Sequence, residues 1–267
     1  MRRALIAAVL AFAVVVPGGS AITTTGFPDN GLHPNVGAIM TPTRAGDGYG
    51  VVCSGTLVSP TIFLTASHCT SFLAADPRPD YVTFDETDIE PIPSGGLNPV
   101  PDGLIPATAR TNPAYRGGFR EDVSVMVLST PVTSIAPAAL PTTVGYLDTL
   151  PLAQSTEFTV VGYGTSEKEI EKGVGPVFGH EGNRGYGIGS FNALTPQWLK
   201  MSQNTAHGDS GACYGDSGGP TFLGAAPADG DVVLAVTSTG DVPCYSTNVA
   251  ARTDTPSARA FLSTFGL

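Results

Sequence analysis

Positive charge is scarce in this chain: 13 lysines and arginines stand against 23 aspartates and glutamates, a formal net charge of −10. An acidic surface repels phosphate backbones, so nucleic acid is not an expected partner. Cysteine is scarce too, with four residues and no Cys-x-x-Cys pair, which argues against a zinc site or redox centre. Neither a metal nor a cofactor is expected. Internal repeats, heptads and low-complexity tracts are absent, and long helical periodicity nearly so, which leaves little room for a helical or repeat architecture.

What long apolar sequence exists runs from Ala4 to Val16, after Arg2 and Arg3 and before Pro17, Gly19, Ser20 and Ala21. That is the pattern of a signal peptide over residues 1–21. The run is shorter than the roughly 18 residues a membrane span needs. Residues 22–267 are therefore expected to be secreted, extracellular and free of the membrane once the leader is removed, with a monomer as the default state. In an exported chain four cysteines point to two disulfides. Three connectivities are open; pairing Cys53 with Cys69 and Cys213 with Cys244 closes the shorter loops and is the one expected.

Glycine and proline, at 33 and 23 residues, imply many turns, yet at about a fifth of the chain they stay under the roughly 25–30% of disordered segments. Between the turns, strand-like segments rich in β-branched residues recur at 51–58, 61–65, 122–128, 157–163 and 231–239. One helix is expected at the end, where Thr255 can cap, Pro256 suits the first turn, and Phe261 and Phe265 share a face. The segments 84–106 and 168–189 read as loops, and Asp85, Glu86, Asp88 and Glu90 as a solvated cluster rather than a cation site. A composition break at 137–143 divides the chain into 22–136 and 137–267.

Chemistry concentrates at Gly215-Asp216-Ser217-Gly218-Gly219-Pro220. A serine in so tight a turn exposes its hydroxyl, and the N–H groups of Gly215 and Ser217 can point at one spot beside it, forming an oxyanion hole. Gly208-Asp209-Ser210-Gly211 is a decoy of the same tetrapeptide, lacking the following Gly-Pro. A serine hydroxyl attacks a carbonyl only if a neighbouring imidazole takes its proton. Of four histidines, His68 is the candidate, lying directly after a strand and beside Cys69, whereas His33, His180 and His207 read as solvated loop residues. A carboxylate must then fix the imidazole tautomer, and Asp122, at the lip of an apolar strand, is placed to do so.

Through Thr65-Ala66-Ser67-His68-Cys69, Asp122-Val123-Ser124-Val125 and Gly215 to Pro220, in the order His, Asp, Ser, the chain resembles the chymotrypsin/trypsin-like serine proteases. The resemblance runs from about Val36 to the terminal helix. It implies an all-β fold of two six-stranded antiparallel β-barrels with a C-terminal helix, His68 and Asp122 coming from the first barrel and Ser217 from the second. It also implies the disulfides Cys53–Cys69 and Cys213–Cys244, and hydrolysis of protein or peptide substrates through an acyl-enzyme.

Further implications concern activation and specificity. Family members order the oxyanion loop by pairing a new N-terminal ammonium with the aspartate before the nucleophile, here Asp216. Removal of the leader after Ala21 would expose Ile22 for that role, although Ile22-Thr23-Thr24-Thr25 departs from the usual start. Gly211 takes the place at the base of the substrate pocket where trypsin-like members carry aspartate. Ser238 and Gly240 match the strand that pairs with substrate, Gly240 leaving the pocket wall open. An uncharged residue on the acyl side of the cleaved bond (P1), large apolar ones included, is thus expected, unless Asp209 enters the pocket; Asn248 is a further candidate for its wall.

Two other classes fit the residues less well. A secreted binding protein on a protease fold typically loses a site residue, and none is missing here. An esterase or lipase would carry Gly-x-Ser-x-Gly on an α/β fold with the order Ser, Asp, His, the reverse of this one. Residues 218–267 suffice to finish a second barrel, so an appended peptide-binding domain is not expected.

Overall fold

The computed structural model describes residues 22–267 except 24–25, 44–47, 88–91, 94–102, 166–167, 172–174, 179–181 and 226–231. The leader expected at 1–21, and with it His180, Asp88 and Glu90, lies outside the described residues. Six antiparallel strands close the first barrel: β1 (Val36–Pro42), β2 (Gly48–Ser59), β3 (Ile62–Thr65), β4 (Asp80–Thr83), β5 (Ile105–Arg110) and β6 (Ser124–Leu128). They run around it in the order β1-β4-β5-β6-β3-β2, with β2 pairing back to β1. Six more form the second: β7 (Glu157–Gly162), β8 (Gly185–Leu194), β9 (Trp198–Ser202), β10 (Pro220–Leu223), β11 (Ala235–Gly240) and β12 (Thr247–Arg252). Their order is β8-β9-β12-β11-β10-β7, closed by β7 on β8. The all-β architecture of two six-stranded barrels is as expected.

Each barrel has its own apolar filling. Ile39, Leu57, Phe63, Val82 and Met126 pack inside the first, and Ile22, Phe158, Val160, Leu199 and Leu234 inside the second. A third cluster joins them, bringing Leu64 and Val125 of the first barrel against Val161, Tyr163, Phe222 and Val236 of the second. Closed barrels leave no unpaired edge, so the rims and the seam between them are left for loops that carry chemistry.

Among the described residues two α-helices complete the fold, α1 (Ser67–Leu73) and α2 (Pro256–Ser263). In α2, Thr255 Oγ1 accepts from Ala258 N at 3.1 Å, Pro256 stands in the first turn, and the Phe261 and Phe265 rings meet edge to face at 5.2 Å. This is the expected capping and pairing. The stretch 168–189, expected to be loop, instead contains a hairpin (Lys168–Glu171 with Gly175–Phe178) and the start of β8. Gly185, Gly187 and Gly189 lie in strand because β8 pairs in register with β7 from Gly185 opposite Gly162 to Ser190 opposite Glu157; that ladder outweighs glycine's weak strand preference.

Candidate active site

His68 sits in the first turn of α1, immediately past β3. That helix has no side-chain cap of its own; it is fixed from outside. Ser67 Oγ donates to Glu121 O at 3.0 Å and Thr70 Oγ1 to Ser124 Oγ at 2.9 Å, tying α1 to the turn that leads into β6. Glu121 takes a left-handed φ of 54°, an uncommon conformation for a residue with a Cβ, and the turn delivers Asp122 inward, 1% exposed. There Asp122 Oδ1 accepts from the His68 backbone N–H at 2.7 Å, and Oδ2 faces His68 Nδ1 at 2.8 Å. Ser238 Oγ, from β11 of the second barrel, also donates to Oδ2, at 2.5 Å. Three donors at a buried carboxylate fix its position and hold the imidazole in one orientation. Burial first, and the Asp122 charge second, push the Tyr115 phenol up.

Ser217 lies on the loop before β10, and the loop is shaped by glycines. Gly215 has φ 97° and Gly218 φ 82°, and a Cβ on Gly218 would fall 2.1 Å from Thr65 Oγ1 and 2.6 Å from Ser54 O. Ser54 stitches this loop to the first barrel: its N–H donates to Ser217 O at 2.8 Å and its hydroxyl to Gly215 O at 3.0 Å. Among the described residues the N–H groups of Gly215 and Ser217 meet no protein acceptor. Two free, adjacent donors beside a serine are what a developing oxyanion requires.

His68 and Ser217 line two adjoining clefts at the seam between the barrels. One, of about 430 Å³, is walled by Phe119, Tyr214, Thr239 and Val242 with Asn248 in its lining; the other, of about 540 Å³, by Val51, Val52, Phe72 and Gly215. Among the described residues no hydrogen bond joins Ser217 Oγ to His68 Nε2, which lies 3.6 Å from Cys69 Sγ. In unliganded sites that contact is often long and closes with substrate. A larger hollow of about 660 Å³ near Thr41 and Arg78 has neither serine nor histidine in its lining.

Both disulfides are present, Cys53–Cys69 beside His68 and Cys213–Cys244 beside the serine loop. Cys53, His68 and Cys69 lie close enough to suggest metal ligands, but the disulfide leaves no thiolate to bind one. Gly240 and Ser238 line the 430 Å³ cleft, whereas Gly211 is buried and outside its lining. Asp209 stays out of it too, accepting from Ser190 N at 3.2 Å and Ser190 Oγ at 2.9 Å. The decoy Ser210 is 1% exposed, its hydroxyl accepting from Ile188 N at 2.7 Å. Ile22 is fully buried, and Thr23 grips Gly211 twice, donating to its carbonyl at 3.1 Å and accepting from its N–H at 2.9 Å. The Asp216 carboxylate accepts from Gly164 N at 2.7 Å and Cys213 N at 2.8 Å.

A family model described as Trypsin matches residues 31–260. The chain belongs to the trypsin family. A Saccharopolyspora erythraea protein named Trypsin is 27% identical over 221 residues, 78% of this chain and 82% of that relative. Membership makes the chain a serine endopeptidase, a hydrolase of peptide bonds. Its expected reading as a trypsin-like serine protease thus holds.

Two features of the protease escaped the sequence. Phe119 stands edge to face against His68 at 5.8 Å and helps wall the cleft; its only signal was its place three residues before Asp122. His33, read as solvated, is 4% exposed. It stacks on Phe222 at 5.7 Å, and its Nδ1 bonds Asp29. Asp29 in turn binds Arg184 Nε at 2.8 Å, and Arg184 also reaches Tyr163 Oη at 3.0 Å and Glu86 at 3.4 Å. The described part of the acidic cluster is therefore engaged in this network through Glu86.

Proposed function

We propose that this protease is a secreted, monomeric enzyme that cleaves peptide bonds through Ser217 as nucleophile, His68 as general base and Asp122 as the group that orients the imidazole. Ser217 Oγ attacks the substrate carbonyl carbon while His68 Nε2 takes its proton; the negative charge forming on the carbonyl oxygen is met by the N–H groups of Gly215 and Ser217. Collapse expels the amine, protonated by His68, and leaves an acyl-enzyme that water hydrolyses by the same steps in reverse roles. The observation that carries this reading is the buried Asp122 carboxylate gripping both the backbone and Nδ1 of His68, in a cleft shared with Ser217.

Residues 22–136 and 137–267 form the two halves, and the leader 1–21 directs export to the extracellular space. No described helix is long and apolar enough to cross a membrane, which agrees with a product that leaves the membrane when its leader is removed. Ile22 is the mature N-terminus, its ammonium pairing with Asp216; the burial of Ile22 and the grip of Thr23 on Gly211 support this. The P1 residue is uncharged. The acid lining the cleft, Asp241, is engaged by the N–H groups of Tyr245, Ser246 and Thr247 at 2.8, 3.0 and 2.6 Å, so a basic side chain would find no free counter-charge.

Fluorophosphonate labelling of the secreted protein, with Ser217→Ala as control and casein hydrolysis alongside, tests the mechanism. Labelling and proteolysis that both vanish in the variant support it; an unlabelled, folded wild type starting at Ile22 points to a binding protein. N-terminal sequencing tests the activation step, since full activity from another start overturns the Ile22–Asp216 pair.

A further inference from the structure

Beneath the cleft lies a group of buried polar side chains with nothing to bond. Asn248 is 2% exposed, Gln203 1% and Thr237 5%. Neither amide atom of Asn248, neither amide atom of Gln203, nor Thr237 Oγ1 has a hydrogen-bond partner among the described residues. Buried polar atoms are almost always partnered, so five orphans in one place require a cause.

They converge through strand register. In the ladders of the second barrel Met201 faces Asn248, and Ala250 faces Thr237. Residues directly opposite share a face, as do residues two apart, so Asn248 and Thr237 project from the same side of β12 and β11. Gln203 extends the ladder by donating its N–H to Ser246 O at 3.0 Å, two residues beyond Met201, and so projects from that side as well. Asn248 and Thr237 both line the cleft that holds Ser217. Gln203 presses on Gly211, where a Cβ would fall 2.4 Å from its Oε1.

Among the described residues the cleft lining holds one acid, Asp241, and no lysine or arginine. Asp241 is engaged by three backbone N–H groups, and burial, which alone would raise its carboxyl, is overridden by those bonds. A carboxylate at P1 would meet this second anion and no lysine or arginine. An apolar side chain would leave the amide and hydroxyl groups dry and unpaired, a penalty that sites built for hydrogen bonding use to reject such groups. What fits is a neutral group offering donors and an acceptor together.

We propose that Asn248, with Thr237 beside it and Gln203 behind, makes the P1 pocket selective for a carboxamide side chain, glutamine or asparagine. This rests on the serine-protease mechanism above and narrows its uncharged P1 residue to one chemical class. These atoms are closed to solvent in the structure; once a rotation of the Asn248 side chain opens them to the cleft, a primary amide pairs with the Asn248 amide as donor and acceptor at once, and Thr237 Oγ1 supplies a third bond.

Peptide substrates identical except at P1 test the assignment, compared as near-isosteric pairs: glutamine with methionine, asparagine with leucine, and lysine and glutamate as charged controls. The expected result is a kcat/KM at least about tenfold higher for an amide than for its apolar partner, with Asn248→Leu erasing or reversing that ratio. Fluorophosphonate titration of Ser217 confirms that the variant is folded and counts its active sites. Hydrolysis with methionine or leucine equal to or better than the amides overturns the proposal and assigns the orphaned atoms to internal water, and so does a preference for lysine or glutamate. Hydrolysis of none of the peptides by a folded enzyme would instead strike at the mechanism itself, so the two failures are distinguishable.

Discussion

Ser238 of the second barrel donates its hydroxyl to Asp122 of the first, so the carboxylate that steadies His68 is held from both sides of the seam. The geometry of the site therefore depends on how the barrels dock as well as on the α1 turn. Ser238→Ala removes a charge-assisted hydrogen bond and leaves Asp122 its two bonds to His68. We expect kcat to fall about tenfold with KM nearly unchanged, equivalent to about 1.4 kcal/mol of transition-state stabilisation. Asp122→Asn should cost far more, near the 10⁴-fold known for the triad aspartate of this family. Steady-state kinetics on one peptide substrate compares them; equal losses would mean that Ser238 does more than position the carboxylate.

The second link between the barrels is the Arg184 network. Arg184 and Asp29 have side chains 2% and 0% exposed, so removing one partner strands a buried charge. Arg184→Met should lower the unfolding free energy by about 3–5 kcal/mol, and adding Asp29→Asn should recover part of that loss. Urea melts of the two variants check both numbers. Burial alone would raise the Asp29 carboxyl; bonds from His33 and the Arg184 charge outweigh it and hold the group below its usual value of 3.8. Its stabilising contribution is full above that value and is lost as pH falls through the depressed one. Wild type should therefore lose stability more steeply than Asp29→Asn in strongly acidic solution.

Much of this arrangement was legible in advance, for identifiable reasons. Residues 51–58, 61–65 and 122–128 announce strands because apolar, β-branched residues face both core and seam. Thr255-Pro256 announces a helix because capping is local. β1 and β5 were silent: Val36–Pro42 contains Gly37 and Pro42, and Ile105–Arg110 contains Pro106. They are strands because neighbours on both sides pair with them, a tertiary cause that a short window does not carry. His68, Ser217 and Asp122 could be singled out as candidates because the chemistry demands particular residue types in a particular order. Phe119 is a common residue type whose place beside His68 depends on where a turn happens to aim it, and His33 lay hidden because Phe222, on which it stacks, and Arg184, which shares its partner Asp29, are distant in sequence.

Gly218 is a sharper test of the loop. A methyl group there must both tolerate φ 82° and intrude on Thr65 Oγ1, Ser54 O and the Ala66 N–H. Two of these are backbone atoms, which cannot swing aside. Gly218→Ala should destabilise by at least about 2–3 kcal/mol and, by pushing the Ser217 turn away from α1, abolish fluorophosphonate labelling in whatever fraction stays folded. Thermal melts with parallel labelling measure the two effects; an active, stable Gly218→Ala protein would contradict the loop geometry.

Asp80 offers a test of opposite sign. It opens β4 with Oδ1 buried and unpartnered among the described residues, while the nearby Arg78 guanidinium grips Asp76 through Nε at 3.0 Å and Nη2 at 2.6 Å. Burial first, and the Asp76 charge second, push the Asp80 carboxyl up to about 6, Arg78 offsetting only part. Between the ordinary value of 3.8 and about 6 the folded chain holds a proton that the unfolded chain has released. Unfolding free energy should accordingly fall as pH rises across that window and stay lowered above it. Asp80→Asn removes the penalty: the variant should match wild type near pH 3.5 and exceed it at pH 7 by on the order of 1 kcal/mol, after allowance for solvent screening of a half-buried group. Urea melts at the two pH values decide, because a variant no more stable than wild type at pH 7 would mean that the Asp80 carboxylate is already relieved by Arg78.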